Sequence, residues 1–305
     1  MRVVLLSGGT GGAKLARGLL DAVGAENLTV IANTGDDSEV YGAHVSPDPD
    51  LVTYWLADAI DERGYGIRDD TWQVMDALER AGRPVWFRLG DHDLAMCLIR
   101  TELLGSGCSL TEAHAAVVEA MGVTARVLPM ADEPVRTRVT ADGRELGFQE
   151  FMIVRGADGP LEDVAFDGIE SARPTAAVLE AVAGAGAIVI GPSNPVVSIG
   201  PIVAVPGMRE ALAEATAPVV AMSPFVGGEV IKGPTRMFCE HAGIEPSAAG
   251  LLQAYPGLLD GVVADEPMEG IAALETDTLM DTPERRRGVA EKTLEFAGSL
   301  PGQDG

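Results

Sequence analysis

Four glycines crowd around one threonine in Gly8-Gly9-Thr10-Gly11-Gly12, directly after the apolar run Val3–Leu6 and two residues before Lys14. Glycines let backbone N–H groups approach a ligand with no Cβ in the way. A helix that follows such a turn adds the positive end of its dipole, so the pair makes a cradle for an anion, a phosphate above all. The spacing excludes two common nucleotide fingerprints. A dinucleotide pattern starting at Gly9 requires Gly or Ala where Lys14 stands, and a P-loop starting at Gly8 requires Gly-Lys-Ser/Thr where Ala13, Lys14 and Leu15 stand. Gly8 to Gly12 and Lys14 are therefore candidate phosphate contacts of a less familiar kind.

Asp36, Asp37, Asp48 and Asp50 form the densest carboxylate group, read as loop residues after a second strand. Mg²⁺ is bound through one or two carboxylates, substrate oxygens and water, so these four are candidate ligands beside the cradle. One of them, with Asp37 and Asp50 the catalytic candidates, would instead take a proton from a hydroxyl nucleophile. As a loop carboxylate, Asp50 is expected to support no core. A second group, Arg88-Leu89-Gly90-Asp91-His92-Asp93, places a guanidinium for an anionic or polar ring system, with Asp91 or Asp93 as helix cap or metal neighbour. A third, Gly191-Pro192-Ser193-Asn194-Pro195, presents Ser193 and Asn194 from a loop stiffened by two prolines, which suits recognition of a base or ribose.

The elements that must hold these residues alternate. The runs Val3–Leu6, Leu28–Ala32, Ala187–Ile190, Val219–Met222 and Val262–Ala264 read as buried strands, separated in several places by helical patterns at Lys14–Val23, Pro174–Ala183, Pro206–Ala215 and Thr235–Ala242. That rhythm predicts an α/β fold, a Rossmann-like three-layer parallel sheet whose strand ends gather the glycine turn, NTGDD, GPSNP and SPFVGG on one rim. Between Asp50 and Val154 four helices are expected: Leu51–Glu62, Thr71–Ala81, Ala95–Leu104 and Thr111–Met121, with Thr71 and Thr111 as N-caps. Ala125–Leu128, Val135–Val139 and Leu146–Val154 then read as a small antiparallel hairpin turning at Asp142-Gly143. The domain reading is a nucleotide-binding core at 1–50 and 155–305, with 51–154 an inserted, mainly helical subdomain over the active rim. A charged helix at Pro283–Ala297 and a disordered SLPGQDG tail complete the chain.

Composition narrows the partners. A net charge of −24 over 305 residues argues against nucleic acid. It also gives weight to the lysines, since two of the three, Lys14 and Lys232, lie in or beside glycine-rich turns. No apolar run has signal-peptide form or the length of a membrane span. Cys97, Cys108 and Cys239 have no metal-ligand spacing, and a reducing, cytoplasmic setting is the simplest reading.

In order, SGGTGGAK, NTGDD, SPDPD, FRLGDHD, LPMADEPV, GPSNPVVSIGPI and SPFVGG resemble the motifs of the 2-phospho-lactate transferase family, which makes the deazaflavin coenzyme F(420). The resemblance runs to about Asp265. It implies that the ribityl hydroxyl of a deazaflavin attacks the β-phosphoryl group of a lactyl- or enolpyruvyl-diphosphoguanosine, with Mg²⁺ assisting and GMP leaving. It further implies deazaflavin contacts at Asp50 and Arg88 and a nucleotide loop at Gly8 to Gly12. A homodimer is the expected assembly. The alternative is a sister family of sugar-nucleotide-binding regulators of cell-wall and carbon metabolism, without established turnover. Its third motif reads more like GPGSLYTS and lacks the Ser-Asn-Pro of Ser193 to Pro195. An alanine- and arginine-rich, lysine-poor composition leans toward the enolpyruvyl donor, with which actinobacterial members are linked.

Overall fold

The structure, a computed structural model, describes residues 1–230 and 233–301; Lys232 and residues 302–305 of the expected tail lie outside the described residues. Seven strands form the main sheet: β1 (Val3–Ser7), β2 (Leu28–Ala32), β3 (Arg126–Pro129), β4 (Ala187–Ile190), β5 (Val219–Met222), β6 (Gly261–Ala264) and β7 (Ala272–Glu275). Their spatial order is β7-β6-β5-β4-β1-β2-β3, with every neighbouring pair parallel. The chain thus winds outward from β1 through β2 to β3, then returns to lay β4 on the other side of β1. The crevice at the carboxyl ends of β1 and β4 is the switch point where open α/β sheets take their ligands.

Alternation along each strand explains the three layers. Val4, Leu6, Ile188, Ile190, Val219 and Ala221 point to one face, where Val178, Val182, Met208 and Leu212 of the Ala176–Ala183 and Met208–Ala213 helices cover them. Val3, Leu5, Val30, Val189 and Val220 point to the other, under helix α1 (Gly9–Val23) and the last helix, Pro283–Ser299. Both faces are dry, which is why these strands read as continuous apolar runs. β7 was not foreseen, because three of its four residues are exposed.

Helix α1 starts at Gly9 rather than at Lys14, so the glycines form its first turn. Gly11 is required there by packing, since a Cβ would run into the carbonyl oxygen of Pro192. The helical segment carries α2 (Pro47–Leu56), α3 (Gln73–Arg80), α4 (Asp91–Gly105) and α5 (Leu110–Ala120). Asp50 therefore lies on a helix, not a loop: Pro47 at its first position suits the start of a helix, and Asp48 and Asp50 stand in the first turn. The N-cap of α5 is Ser109 rather than Thr111, in a capping box with Glu112. Thr71 caps nothing with its side chain. Instead Asp91 accepts from the N–H groups of Gln73 and Val74, both at 3.0 Å, and so caps α3. Asp70 returns the favour to α4, accepting from His92 N at 2.9 Å and Asp93 N at 3.1 Å, and it occupies the space a Cβ at Gly90 would need.

The run at Ala125–Leu128 does not join the hairpin. It belongs to β3, parallel to β2, because Val127 and Leu128 each bury into one of the two cores. The hairpin itself pairs Arg136–Ala141 with Arg144–Gly147 around Asp142 and Gly143, whose φ angles of 50° and 65° suit a tight two-residue turn. Leu161–Asp167 adds a third antiparallel strand on the other side. Residues 148–154, expected as strand, turn into helix α6 (Phe148–Ile153), whose Phe151 is buried against Phe238. A division at residues 154–155 thus separates strands of one small sheet, and β3 lies within 51–154 yet belongs to the main sheet. Among the described residues no helix is long and apolar enough to cross a membrane.

Candidate active site

A cavity of about 540 Å³ opens at the switch point. The first turn of α1 forms one wall with Gly8, Gly9, Thr10, Gly11 and half-buried Lys14; Ser193 and Asn194 form another, and Ser223 and Thr278 follow from the ends of β5 and the segment after β7. The rim expected from the parallel sheet is therefore a single cavity wall, built by segments more than two hundred residues apart. Asn194 Oδ1 accepts from Val196 N and Val197 N, so this side chain shapes its own turn. Ser193 Oγ is buried with no hydrogen-bond partner among the described residues. Burial lowers the Lys14 ammonium below its ordinary value, and nearby Arg286 adds to that.

Of the four aspartates, Asp36 and Asp48 border this cavity. The Asn33 amide joins them, donating to Asp36 Oδ1 at 3.2 Å and Asp48 Oδ2 at 2.9 Å. Asp48 Oδ1 also accepts from Gly9 N at 2.7 Å, which ties it to the glycine turn. Burial and the charge of Asp48 raise the Asp36 carboxyl well above its usual range, while burial pushes Asp48 up to about 6. Asp37 stands apart. Its Oδ2 meets His44 Nε2 at 2.9 Å and its Oδ1 accepts from Ser46 Oγ at 2.7 Å, so both oxygens are engaged at the entrance to α2.

A second cavity, about 440 Å³, meets the first along Asp48, Tyr65, Gln149 and Ile153, with Asp48 the shared carboxylate. Asp50 and Arg88 both border it, together with Tyr54, Tyr65, Trp72 and Phe87, so its walls suit a flat, partly polar ring system. Arg88 reaches across Glu79 at 3.0 Å and Asp76 at 2.6 Å, in exposed pairs that contribute little to stability. Asp50 is buried. Its Oδ1 pairs with Arg100 Nη2, while Oδ2 has no partner among the described residues. Burial raises this carboxyl and Arg100 pulls it back. Arg100 is itself fully buried and donates from Nη1 to His44 O at 3.1 Å. His114 lies 4.0 Å from Asp50 and is driven well toward its neutral form, first by burial and then by Arg100. Asp93 accepts from Tyr54 Oη at 2.7 Å. Asp50, Asp93 and Cys97 bring one potential ligand atom each within 4.8 Å of the others, but Arg100 already supplies positive charge there.

Asn33, Tyr54, Arg100 and His114 were not singled out in the sequence. Asn33 lies inside NTGDD, and its bridge between Asp36 and Asp48 depends on a residue fifteen positions away that the motif does not contain. His114 had a usable signal: it sits on the stripe Leu110, Ala113, Val117 and Val118 that α5 buries. A polar residue in such a stripe needs a partner.

The family model described as 2-phospho-L-lactate transferase CofD matches residues 3–286. This chain belongs to that family. Among its relatives, a phosphoenolpyruvate transferase of Streptomyces griseus is 40% identical, over 97% of this chain and 98% of its own length. A 2-phospho-L-lactate transferase of Methanosarcina barkeri is 37% identical, over 95% of this chain and 96% of its own. Membership in this transferase family makes the chain an enzyme by kinship. A solved UPF0052-family protein of Bacillus halodurans shares the fold, with a TM-score of 0.57 at 20% identity over 88% of this chain and 82% of that one.

Proposed function

We propose that this member of the family transfers a phospho-enolpyruvyl or phospho-lactyl group from a diphosphoguanosine donor to the ribityl hydroxyl of a deazaflavin in coenzyme F(420) biosynthesis, releasing GMP. The observation that carries the reading is the meeting of two cavities at one carboxylate, Asp48: a phosphate cradle on one side and an aromatic pocket with Arg88 on the other. Two substrates held this way bring a hydroxyl to a phosphorus without either entering the other's site.

Asp36 and Asp48 fit a divalent cation. Both offer oxygen only, both are buried, and the charge of Asp48 raises the cost of ionising Asp36. A Mg²⁺ ion held there would neutralise charge on the diphosphate. Asp37 and Asp50, included in the broader ligand set above, do not border the phosphate cavity, and are held by His44 and Ser46 and by Arg100 instead. The glycine turn and Lys14 hold the diphosphate end of the donor, and Ser193 and Asn194 stand beside its nucleoside. The ribityl oxygen bonds to the phosphorus bearing the three-carbon group, and the bond from that phosphorus to the guanosine phosphate breaks. GMP leaves with the electron pair. Asp50, which borders the acceptor cavity and whose Oδ2 has no partner among the described residues, takes the hydroxyl proton.

The enolpyruvyl donor is the one we favour, on composition and on the Streptomyces relative. Purified protein, deazaflavin, Mg²⁺ and each donor in turn should give a product of the expected mass, faster with enolpyruvyl, and EDTA should abolish it until metal is restored. No product from either donor rejects the reaction. Faster turnover with the lactyl donor rejects only the donor preference, and full turnover in metal-free buffer rejects the Asp36–Asp48 metal pair.

A further inference from the structure

A third cavity, about 240 Å³, lies on the far side of Asp36 from the glycine turn, between the Ser38 and Arg136–Ala141 strands. It is below the usual size for a nucleotide or a tricyclic ring, and large enough for a short acid. Its polar lining is unspent. Ser38 Oγ and Thr137 Oγ1 are buried with no hydrogen-bond partner among the described residues, and Thr137 is 1% exposed. Arg136 donates from Nη1 to the adjacent Val135 carbonyl at 2.8 Å, and its Nε and Nη2 have no partner among the described residues. Four acids share the lining: Asp37 and Glu39 both reach the His44 ring, each at 2.9 Å, Asp36 accepts from the Asn33 amide, and Glu150 is exposed to solvent. Two unpartnered hydroxyls and a guanidinium among the residues lining a small space are a donor set for a carboxylate.

Gln149, on α6, borders all three cavities, and its amide has no hydrogen-bond partner among the described residues. The reaction proposed above has a matching shape. During transfer the phosphorus carries three oxygens that lead away to different groups: the departing guanosine phosphate, the three-carbon acid and the incoming ribityl chain. We infer that the third cavity receives the three-carbon carboxylate arm of the donor, with Arg136, Thr137 and Ser38 as its contacts and Gln149 at the junction where the three arms meet. This inference rests on the proposed reaction and deepens it. It assigns reading of the short acid to residues outside both the glycine turn and the aromatic pocket.

The test compares two ligands that differ by the arm in question. Binding of GDP and of enolpyruvyl-diphosphoguanosine is measured by calorimetry for the parent, Thr137→Val, Arg136→Gln and Gln149→Leu. The first two variants should weaken the donor by about tenfold or more, as loss of a hydrogen bond to a charged group implies, and leave GDP within about twofold. Gln149→Leu should lower kcat more than it weakens either ligand. Unchanged GDP binding also shows that a variant has folded; Thr137→Val, nearly isosteric, guards against collapse of the site. Equal losses for GDP and donor, or an unchanged donor, would overturn the assignment. Failure of the reaction itself appears separately, as absence of turnover by the parent.

Discussion

The nucleotide side and the acceptor side of this site are built by opposite means. On the nucleotide side backbone meets backbone: the first turn of α1 lies so close to Pro192 that Gly11 has no room for a Cβ. On the acceptor side, side chains from three helices meet in the interior, with Asp50 of α2 against Arg100 of α4 and His114 of α5. A close backbone approach tolerates no added atom, while a buried ion pair tolerates no lost partner. The two halves should therefore fail differently under substitution.

The largest effect is expected for Asp50→Ala. It strands the Arg100 charge in the interior, which costs about 3–5 kcal/mol, and it removes the proposed proton acceptor, which lowers turnover by on the order of 10² to 10⁴. Urea denaturation and initial rates measure the two losses separately. A variant as stable as the parent would break the comparison, because the acceptor side would then not depend on its charge pair. Gly11→Ala comes next. Its Cβ forces α1 and the Gly191–Pro195 turn apart, at a cost of about 1–3 kcal/mol. GDP affinity should fall about tenfold in titration, with deazaflavin affinity held; equal losses would mean that the two cavities move as one.

The last effect, confined to one pH window and with no loss of turnover expected, sharpens the acceptor side. Burial first, then the charge of Asp50, pushes Asp93 up to about 7, against about 3.9 in an unfolded chain. The folded protein therefore binds this proton more tightly, and stability falls as pH rises from about 4 to about 7. Asp93→Asn removes that slope. Melting temperatures should diverge in favour of the variant across this window, by roughly 5–10 °C from about 4 kcal/mol, and run parallel above it. Parallel curves throughout would show that Asp93 ionises as freely in the fold as outside it.

The same contrast decides what could be read from the chain. β2, β4 and β5 were legible to the residue, because strands buried on both faces are almost wholly apolar, Thr29 being the one polar residue among them. The gathering of Gly8–Lys14, Asp36, Ser193 and Asn194 at one cavity followed from strand direction alone. Arg88 and Asp50 do share a cavity, but the helix under Asp50 was missed although Ser46-Pro47 is an ordinary helix start. Arg100 and His114 had no motif to mark them. Their pairing arises where α4 meets α5, and the angle between two helices is written in no local pattern. Helix α6 was misread because six residues with scattered aromatics do not distinguish a period of two from one of 3.6.

Asp70 and Asp91 cap each other's helices, and this gives the acceptor pocket its mechanical character. Neither α3 nor α4 begins with a side-chain cap of its own; each borrows a carboxylate from the segment leading into, or opening, the other. The amides of Gln73, Val74, His92 and Asp93 therefore cannot be released one pair at a time without loosening both helix ends. In the language of local unfolding, the two helix starts belong to one opening unit. Trp72 and Asp93 both line the pocket, the first next to a capped amide and the second carrying one. Loss of either carboxylate should therefore loosen both helix starts together, as one latch holds two jaws.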